Sequence, residues 1–146
     1  MAGRLDADPG LVGRRFAGLD FGTTGARMLT LEGAQLLHVA AEYQNLEAAQ
    51  LLLDRGADLN AAGPGGQTPL FHAVTQNEDR GLPMVRLLLE RGADLAIRAR
   101  VAGHYERPGE ILECTALGYA AAFEDEPGRG DKRKTVAFLR GIGAAE

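Results

Sequence analysis

Short apolar clusters, separated by glycine and polar breaks, recur along the chain from about residue 30. In one unit, the apolar residues at positions 70, 73 and 74 follow Thr68 and Pro69 at the spacing of one helix face. Thr is a good N-cap and Pro suits the first helical position, so a helix should begin there. A second apolar run follows Gly81 and stops at Gly92, where a C-cap residue with positive φ is expected. The pattern predicts two short helices and an extended turn in each unit.

The unit occurs more than once. LLLDRGADL at 51–59 returns as LLLERGADL at 87–95, and GAQLLHVAA at 33–41 aligns with GQTPLFHAV at 66–74, 33 positions later. A third copy begins with TALGYAA at 115–121 and ends with VAFLRGIGA at 136–144. Several submotifs in a fixed order and at one period indicate a repeat architecture, in which each unit buries its apolar face against its neighbours.

These segments resemble the ankyrin repeat, whose pattern reads roughly G-x-TPLH-x-AA and then, after a polar break, V-x-LLL-x-x-GAD. The resemblance covers about residues 30–146 and implies an all-α repeat solenoid of stacked helix-turn-helix units with β-hairpin fingers. We place the repeats at about 30–62, 63–98 and 110–146, and expect residues 1–29 to form an N-terminal flank that caps the stack. The resemblance also implies that His38, at the TPLH position, joins neighbouring turns by hydrogen bonds.

The connection between the second and third repeats, residues 95–114, is unusually long, and we refer to it as the long finger. The first connection spans 12 positions, from Gly56 at the end of a second helix to Thr68 at the start of the next repeat. This connection spans 23 positions, from Gly92 to Thr115. Apolar residues at 97, 99 and 101 alternate with arginines, which is the period of a β-strand. Residues 111–112 supply a return strand and Pro108-Gly109 a turn signal. We therefore predict that this finger is an extended, protruding β-hairpin.

The resemblance implies a module that binds another protein through a concave face made by the first helices and the finger tips. Tyr43, Gln76 and Phe123 occupy equivalent positions at the ends of the three first helices. Aromatic side chains dominate the energetics of many interfaces, so Tyr43 and Phe123 are candidate anchors. The alternative for Phe123 is that it packs beneath the loop that follows it, an acidic segment at residues 124–131.

The long finger carries the second group of candidate binding residues. Between positions 98 and 109, three arginines and one glutamate give a local formal charge of +2 in a chain of net charge -4. Arginine and tyrosine are enriched at interface hot spots, so we expect a partner with an acidic surface. The alternative is a tolerated surface insertion, since long loops cost little closure entropy. The candidate residues of the finger are Arg98, Arg100, His104, Tyr105 and Arg107.

One motif points to a different class of function. Residues 18–25, GLDFGTTG, resemble the first phosphate-binding loop of the actin-like ATPase and sugar-kinase superfamily, which implies a nucleotide-binding or enzymatic role. No second phosphate loop follows, and an isolated loop offers too few donors to hold a nucleotide. We therefore favour a glycine-rich turn in the N-terminal flank, and expect neither an enzyme nor a cofactor.

Composition and charge narrow the partner class. The net charge of -4 argues against a general nucleic-acid binder, and no apolar stretch approaches the length of a membrane span.

The single cysteine, Cys114, excludes an internal disulfide and fits a reducing compartment. No apolar leader segment begins the chain, so we expect a cytoplasmic location. The three histidines do not stand at metal-ligand spacing from Cys114 or from one another, and we expect no metal site.

Overall fold

A computed structural model of the chain describes residues 1–17, 31–76, 79–102, 109–124 and 132–145. Helical hairpins dominate these residues, and short 3₁₀ turns lie at Pro9–Leu11 and Pro64–Gly66. The helices and strands, in chain order, are α1 (Ala2–Ala7), α2 (Leu36–Glu42), α3 (Leu46–Asp54), α4 (Pro69–Val74), α5 (Leu82–Glu90), β1 (Ala99–Ala102), β2 (Ile111–Cys114), α6 (Ala116–Ala121) and α7 (Arg133–Gly141).

Three helix pairs stack along one direction. The first helices of the pairs, α2, α4 and α6, pack side by side and form what we call the first-helix row, while α3, α5 and α7 form a second row. Leucines at equivalent positions of the first-helix row are at most 2% exposed, and those of the second row are fully buried. These core leucines are Leu37, Leu70 and Leu117 in the first row, and Leu52, Leu88 and Leu139 in the second.

The second helices all end in the same way. Gly56 and Gly92 follow α3 and α5 with φ values of 83° and 96°, which confirms the predicted C-cap conformation. Gly143 repeats this after α7, with φ of 82°. In each case the next amide donates back to a buried leucine carbonyl near the end of the helix, at 3.0 to 3.1 Å. The left-handed glycine thus places the following amide against a carbonyl that the helix leaves unpaired.

The first helices start at the predicted positions, but their N-cap side chains differ in whether they make a capping hydrogen bond. Thr68 is the N-cap of α4 with Pro69 at the first helical position, but the Thr68 side chain makes no capping hydrogen bond. Thr115 does cap α6, since its hydroxyl oxygen accepts from the Gly118 amide at 3.1 Å. The first-repeat helix α2 starts at Leu36, after Gln35, as the aligned pattern predicts.

Strands β1 and β2 form a two-stranded antiparallel sheet in the long finger, with Val101 opposite Leu112 and Arg100 opposite Glu113. Side chains of β1 alternate between buried and exposed, in agreement with the predicted period of two. Residues 103–108 lie outside the described residues, so the predicted protrusion of the finger remains a prediction.

The described part of the N-terminal flank packs on the first repeat. Leu5 and Val12 are 2% and 6% exposed and belong to the same apolar core as α2 and α3. The Arg55 guanidinium binds the Asp6 carboxylate at 2.8 Å, and Phe16 forms an isolated antiparallel bridge with Ala34. Within the described ranges, no helix is both long and apolar enough to cross a membrane.

Candidate protein-binding surface

The C-terminal ends of the first helices differ in which side chains they expose to solvent. Tyr43 follows α2 and is 57% exposed, beside Gln44, whose backbone adopts a φ of 55°. Gln76, at the equivalent place after α4, is half-buried, and its side-chain amide donates to the His72 carbonyl at 3.2 Å. Tyr43 is therefore a large exposed aromatic side chain at the C-terminal end of α2.

Phe123, the third member of the predicted set, is not available to a partner. Its side chain is 1% exposed, and its ring packs edge-on against Tyr119 with centroids 5.1 Å apart. The chain keeps coiling beyond α6, because the Phe123 amide bonds to the Ala120 carbonyl at 3.2 Å. The ring lies in the core beside Tyr119, where burial stabilises it more than exposure would. The prediction that Phe123 is an exposed anchor is therefore wrong, and the acidic loop beneath which the alternative placed it, residues 125–131, lies outside the described residues.

A buried histidine joins the first two repeats. The His38 ring is fully buried, with Nδ1 3.3 Å from the Gln35 amide and Nε2 3.3 Å from the Gln67 carbonyl. An amide can only donate and a carbonyl can only accept, so these contacts fit a neutral ring protonated on Nε2. Burial, with help from nearby His72 and Arg15, lowers the pKa of His38 to about 4. The inter-repeat role predicted for this ring is confirmed.

A second buried histidine has a partner that the sequence did not reveal. His72 Nδ1 lies 2.9 Å from a carboxylate oxygen of Glu42, the last residue of α2. The ring meets His38 edge-on with the ring centroids 5.6 Å apart, and its buried Nε2 has no hydrogen-bond partner among the residues that the structure describes. Glu42 is therefore held beside the exposed Tyr43, and the two histidines pack between α2 and α4. This contact stabilises the backbone that presents Tyr43.

The other end of the stack has an inter-repeat contact of its own. The Asp79 carboxylate accepts from the Thr135 amide and hydroxyl at 2.8 Å, and from the Lys134 amide at 3.3 Å. Lys132 is 1% exposed, and its ammonium donates to the Thr75 carbonyl at 3.0 Å. A carboxylate at a helix N-terminus satisfies otherwise unpaired amides. Asp79, in the segment between α4 and α5, therefore fixes the start of α7.

The described base of the long finger carries arginine and glutamate together. Arg98 and Arg100 are both exposed, and the Arg98 guanidinium donates to the Glu113 carbonyl at 2.6 Å. Arg100 lies directly opposite Glu113 in the sheet, so their charges partly offset one another. His104, Tyr105 and Arg107 lie outside the described residues.

The described residues contain no cluster of three or more histidine, cysteine, aspartate or glutamate side chains that could hold a metal ion. Cys114 is half-buried, and burial raises the pKa of its thiol. A thiol with a raised pKa is a weaker nucleophile at neutral pH than an exposed one. The GLDFGTTG segment at 18–25 lies outside the described residues.

Comparison with known proteins gives a consistent family. A family model described as ankyrin repeats (3 copies) matches residues 14–99, more than half of the chain. Ankyrin repeat and SOCS box protein 16 of Homo sapiens is 38% identical over 121 residues, covering 82% of this chain and 23% of that protein. The B-cell lymphoma 3 protein homolog of Mus musculus is 44% identical over 81 residues, covering 53% of this chain and 17% of that protein.

A shorter match links the chain to the neurogenic locus notch homolog protein 2 of Homo sapiens, at 50% identity over 42 residues, 29% of this chain and 2% of that protein. The chain thus spans less than a quarter of the length of each of these three relatives. The similarity concerns the repeats that these proteins share, and it leaves the remainder of each relative unmatched.

Proposed function

Because the chain belongs to the ankyrin-repeat family, we propose that it is a protein-protein interaction module that binds its partner through the first-helix row and the long finger. Stacked repeats offer an extended surface that needs little rearrangement on binding. No catalytic role is part of this proposal, and the nucleotide hypothesis gains no support from the described residues.

The observation that carries the proposal is the exposure of Tyr43 on an otherwise packed row. Its ring is 57% exposed, whereas Phe123 at the equivalent position of the third repeat is buried. Leu46, 37% exposed, stands three residues later at the start of α3, and adds a second apolar side chain close in sequence. A large aromatic side chain next to a polar rim is the composition found at the centre of many interfaces.

The long finger supplies the second part of the proposed surface. It exceeds the first connection by 11 residues that stacking does not require. Arg98 and Arg100 at its base, together with His104, Tyr105 and Arg107 in its sequence, give it a basic and aromatic character. Three glutamates balance the three arginines over residues 95–114, so the basic character belongs to the segment 98–109, where the formal charge is +2. A partner with an acidic surface fits this charge best.

Replacing Tyr43 with Ala is expected to weaken partner binding by roughly ten- to a hundredfold, the range of an interface hot spot. The partner is first captured from extract of the source cells on the immobilised parent protein, and its affinity is then measured by calorimetry. Gln50→Ala, an exposed change on the second row, is the matched control and should leave the affinity unchanged. Equal affinities for the parent and for Tyr43→Ala would remove this end of the row from the proposed surface.

A further inference from the structure

Helix α1 takes the place of a second helix ahead of the first repeat. The Arg91 guanidinium after α5 binds the Asp54 carboxylate at the end of α3, at 2.9 Å. One repeat earlier, the Arg55 guanidinium after α3 binds the Asp6 carboxylate in α1, at 2.8 Å. Leu5 precedes Asp6 as a leucine precedes Asp54, and it is 2% exposed within the shared apolar core. The end of α1 therefore lies beside α3 as the end of α3 lies beside α5.

The segment after α1 has the base of a finger. Phe16 is bridged to Ala34, immediately before the N-cap of α2, as Ala99 is paired with Cys114, immediately before the N-cap of α6. In both places an arginine precedes the pair, and its guanidinium donates to the carbonyl just before the partner residue, at 3.2 Å in the flank and 2.6 Å in the long finger. The flank thus supplies a second helix and a finger base, but its described residues contain no first helix.

The missing first helix leaves one face of α2 open. Tyr119 and Phe123, four residues apart on one side of α6, are each 1% exposed, and the Tyr119 ring lies toward Phe71 of α4 with centroids 6.3 Å apart. Val39 and Tyr43 occupy the same two positions in the first repeat, but Val39 is half-buried and Tyr43 is 57% exposed. We call this surface of Val39 and Tyr43 the open position.

The open position has room for one helix but not for a whole further repeat. Its neighbour in the second row is already filled by α1, as the Arg55–Asp6 ion pair shows. Repeats stack by packing both of their helices against the next unit. A second copy of the chain added head to tail would therefore bring its α7 onto α1 as its α6 reached α2. A single helix avoids this overlap and continues the row in which α4 already lies beside α2.

We propose that a single amphipathic helix of the partner protein binds the open position and continues the first-helix row ahead of α2. The packing of α4 on α6 indicates the chemistry of that helix. Phe71 of α4 meets Tyr119, and Val74, three residues later on the same face, is 1% exposed. A partner helix with large apolar residues at i and i+3 would cover Val39 and Tyr43 in the same way. The inference rests on the proposed function and adds to it the kind of partner segment that contacts Tyr43.

The chain contains a helix that can serve as the probe. Asp6 in α1 corresponds to Glu90 at the end of α5, so residues 66–84 fused to the N-terminus complete the missing half of the unit in register. The added segment carries α4 and the start of α5. A tether raises the effective concentration of the helix to the millimolar range, so that weak docking is still detected. The matched control is the same fusion with Phe71→Asp and Val74→Asp in the added copy only.

Nitration of Tyr43 by tetranitromethane reports whether the helix docks and needs no partner. Tyr43 is the single tyrosine of the tryptic fragment 28–55, so mass spectrometry gives its rate directly. The fusion should slow this rate about tenfold or more, and the control fusion should be nitrated as fast as the parent. The affinity of the captured partner should fall about tenfold for the fusion relative to the control, because the added helix competes for the open position.

Four results would overturn the inference. Nitration of Tyr43 at the parental rate in the fusion would mean that the open position does not accept a helix. Nitration in the free parent as slow as that of the buried Tyr119 would mean that the position is already covered. A dimer of the parent, seen by sedimentation and dissociated by the fusion, would assign the position to a second copy. Protection of Tyr43 with unchanged partner affinity would place the partner elsewhere and leave the proposed function intact.

Failure of the proposed function has a different signature. A parent protein that captures no partner would contradict the proposed function, and the inference with it. The nitration rates keep this failure distinct, because they measure helix docking at the open position without any partner.

Discussion

Phe123→Ala is expected to lower the free energy of unfolding by roughly 3–5 kcal/mol, the usual cost of removing a buried aromatic ring. The ring is 1% exposed and packs on Tyr119, which lies next to Phe71 in the core. The ring leaves a cavity beside Tyr119, and rigid packing of the core allows it to collapse only in part. Urea denaturation followed by circular dichroism gives the free energy of unfolding directly.

Tyr43→Ala is the matched control for this prediction, because it removes an aromatic ring from the equivalent position of another repeat. Its ring is 57% exposed, so the free energy of unfolding should change by less than about 1 kcal/mol. Similar losses in the two variants would contradict the assignment of Phe123 to the core and Tyr43 to the surface. The pair therefore tests whether Phe123 lies in the core and Tyr43 on the surface, which the binding proposal requires.

Acidification should destabilise the protein through His38. Its pKa is about 4 in the folded state, below the ordinary value of 6.5, because burial and the adjacent His72 and Arg15 disfavour the charged ring. Above pH 6.5 the ring is neutral in both states, and its contribution to stability is fully present. As the pH falls from 6.5 toward 4, the unfolded chain gains a proton that the folded chain does not, and about 3 kcal/mol is lost.

The His38→Gln variant isolates this contribution, since glutamine does not titrate. Urea midpoints measured between pH 7 and pH 5 should fall more steeply for the parent than for the variant. The variant itself should be less stable at pH 7, because the bonds to the Gln35 amide and the Gln67 carbonyl change. Parallel pH profiles for the two proteins would show that His38 titrates in the folded state as it does in the unfolded one.

Local patterns predicted the parts of the fold that depend on neighbouring residues. The glycines after α3 and α5, the proline that begins α4 and the alternation in β1 each express a backbone preference that operates within a few positions. The family resemblance rested on the order of such motifs and is confirmed by the match to ankyrin repeats. The stacking of first helices follows from the same repeats.

Apart from the contact of His38, local patterns did not predict the contacts between repeats. The Glu42 carboxylate meets His72 across 30 positions, and Asp79 caps α7 across 56, so neither pairing leaves a local signal. Phe123 was misplaced for a related reason. The alignment gives its position in the repeat, but packing against the core beside Tyr119 decides that the ring points inward, and position alone does not predict this. The tip of the long finger stays a prediction from alternation and charge.

The central claim is that the long finger contributes to partner recognition and is not needed for folding. Ala99 and Val101 at its base are buried, so a deletion must leave both strands in place. The decisive variant therefore replaces residues 103–108 with an Asn-Gly turn, which removes His104, Tyr105 and Arg107 and keeps β1 and β2. The measurement is the affinity of this variant for the captured partner over a range of salt concentrations, beside its helical circular dichroism spectrum. We predict an unchanged spectrum with affinity lost by at least tenfold, and parental affinity at every salt concentration would contradict the claim.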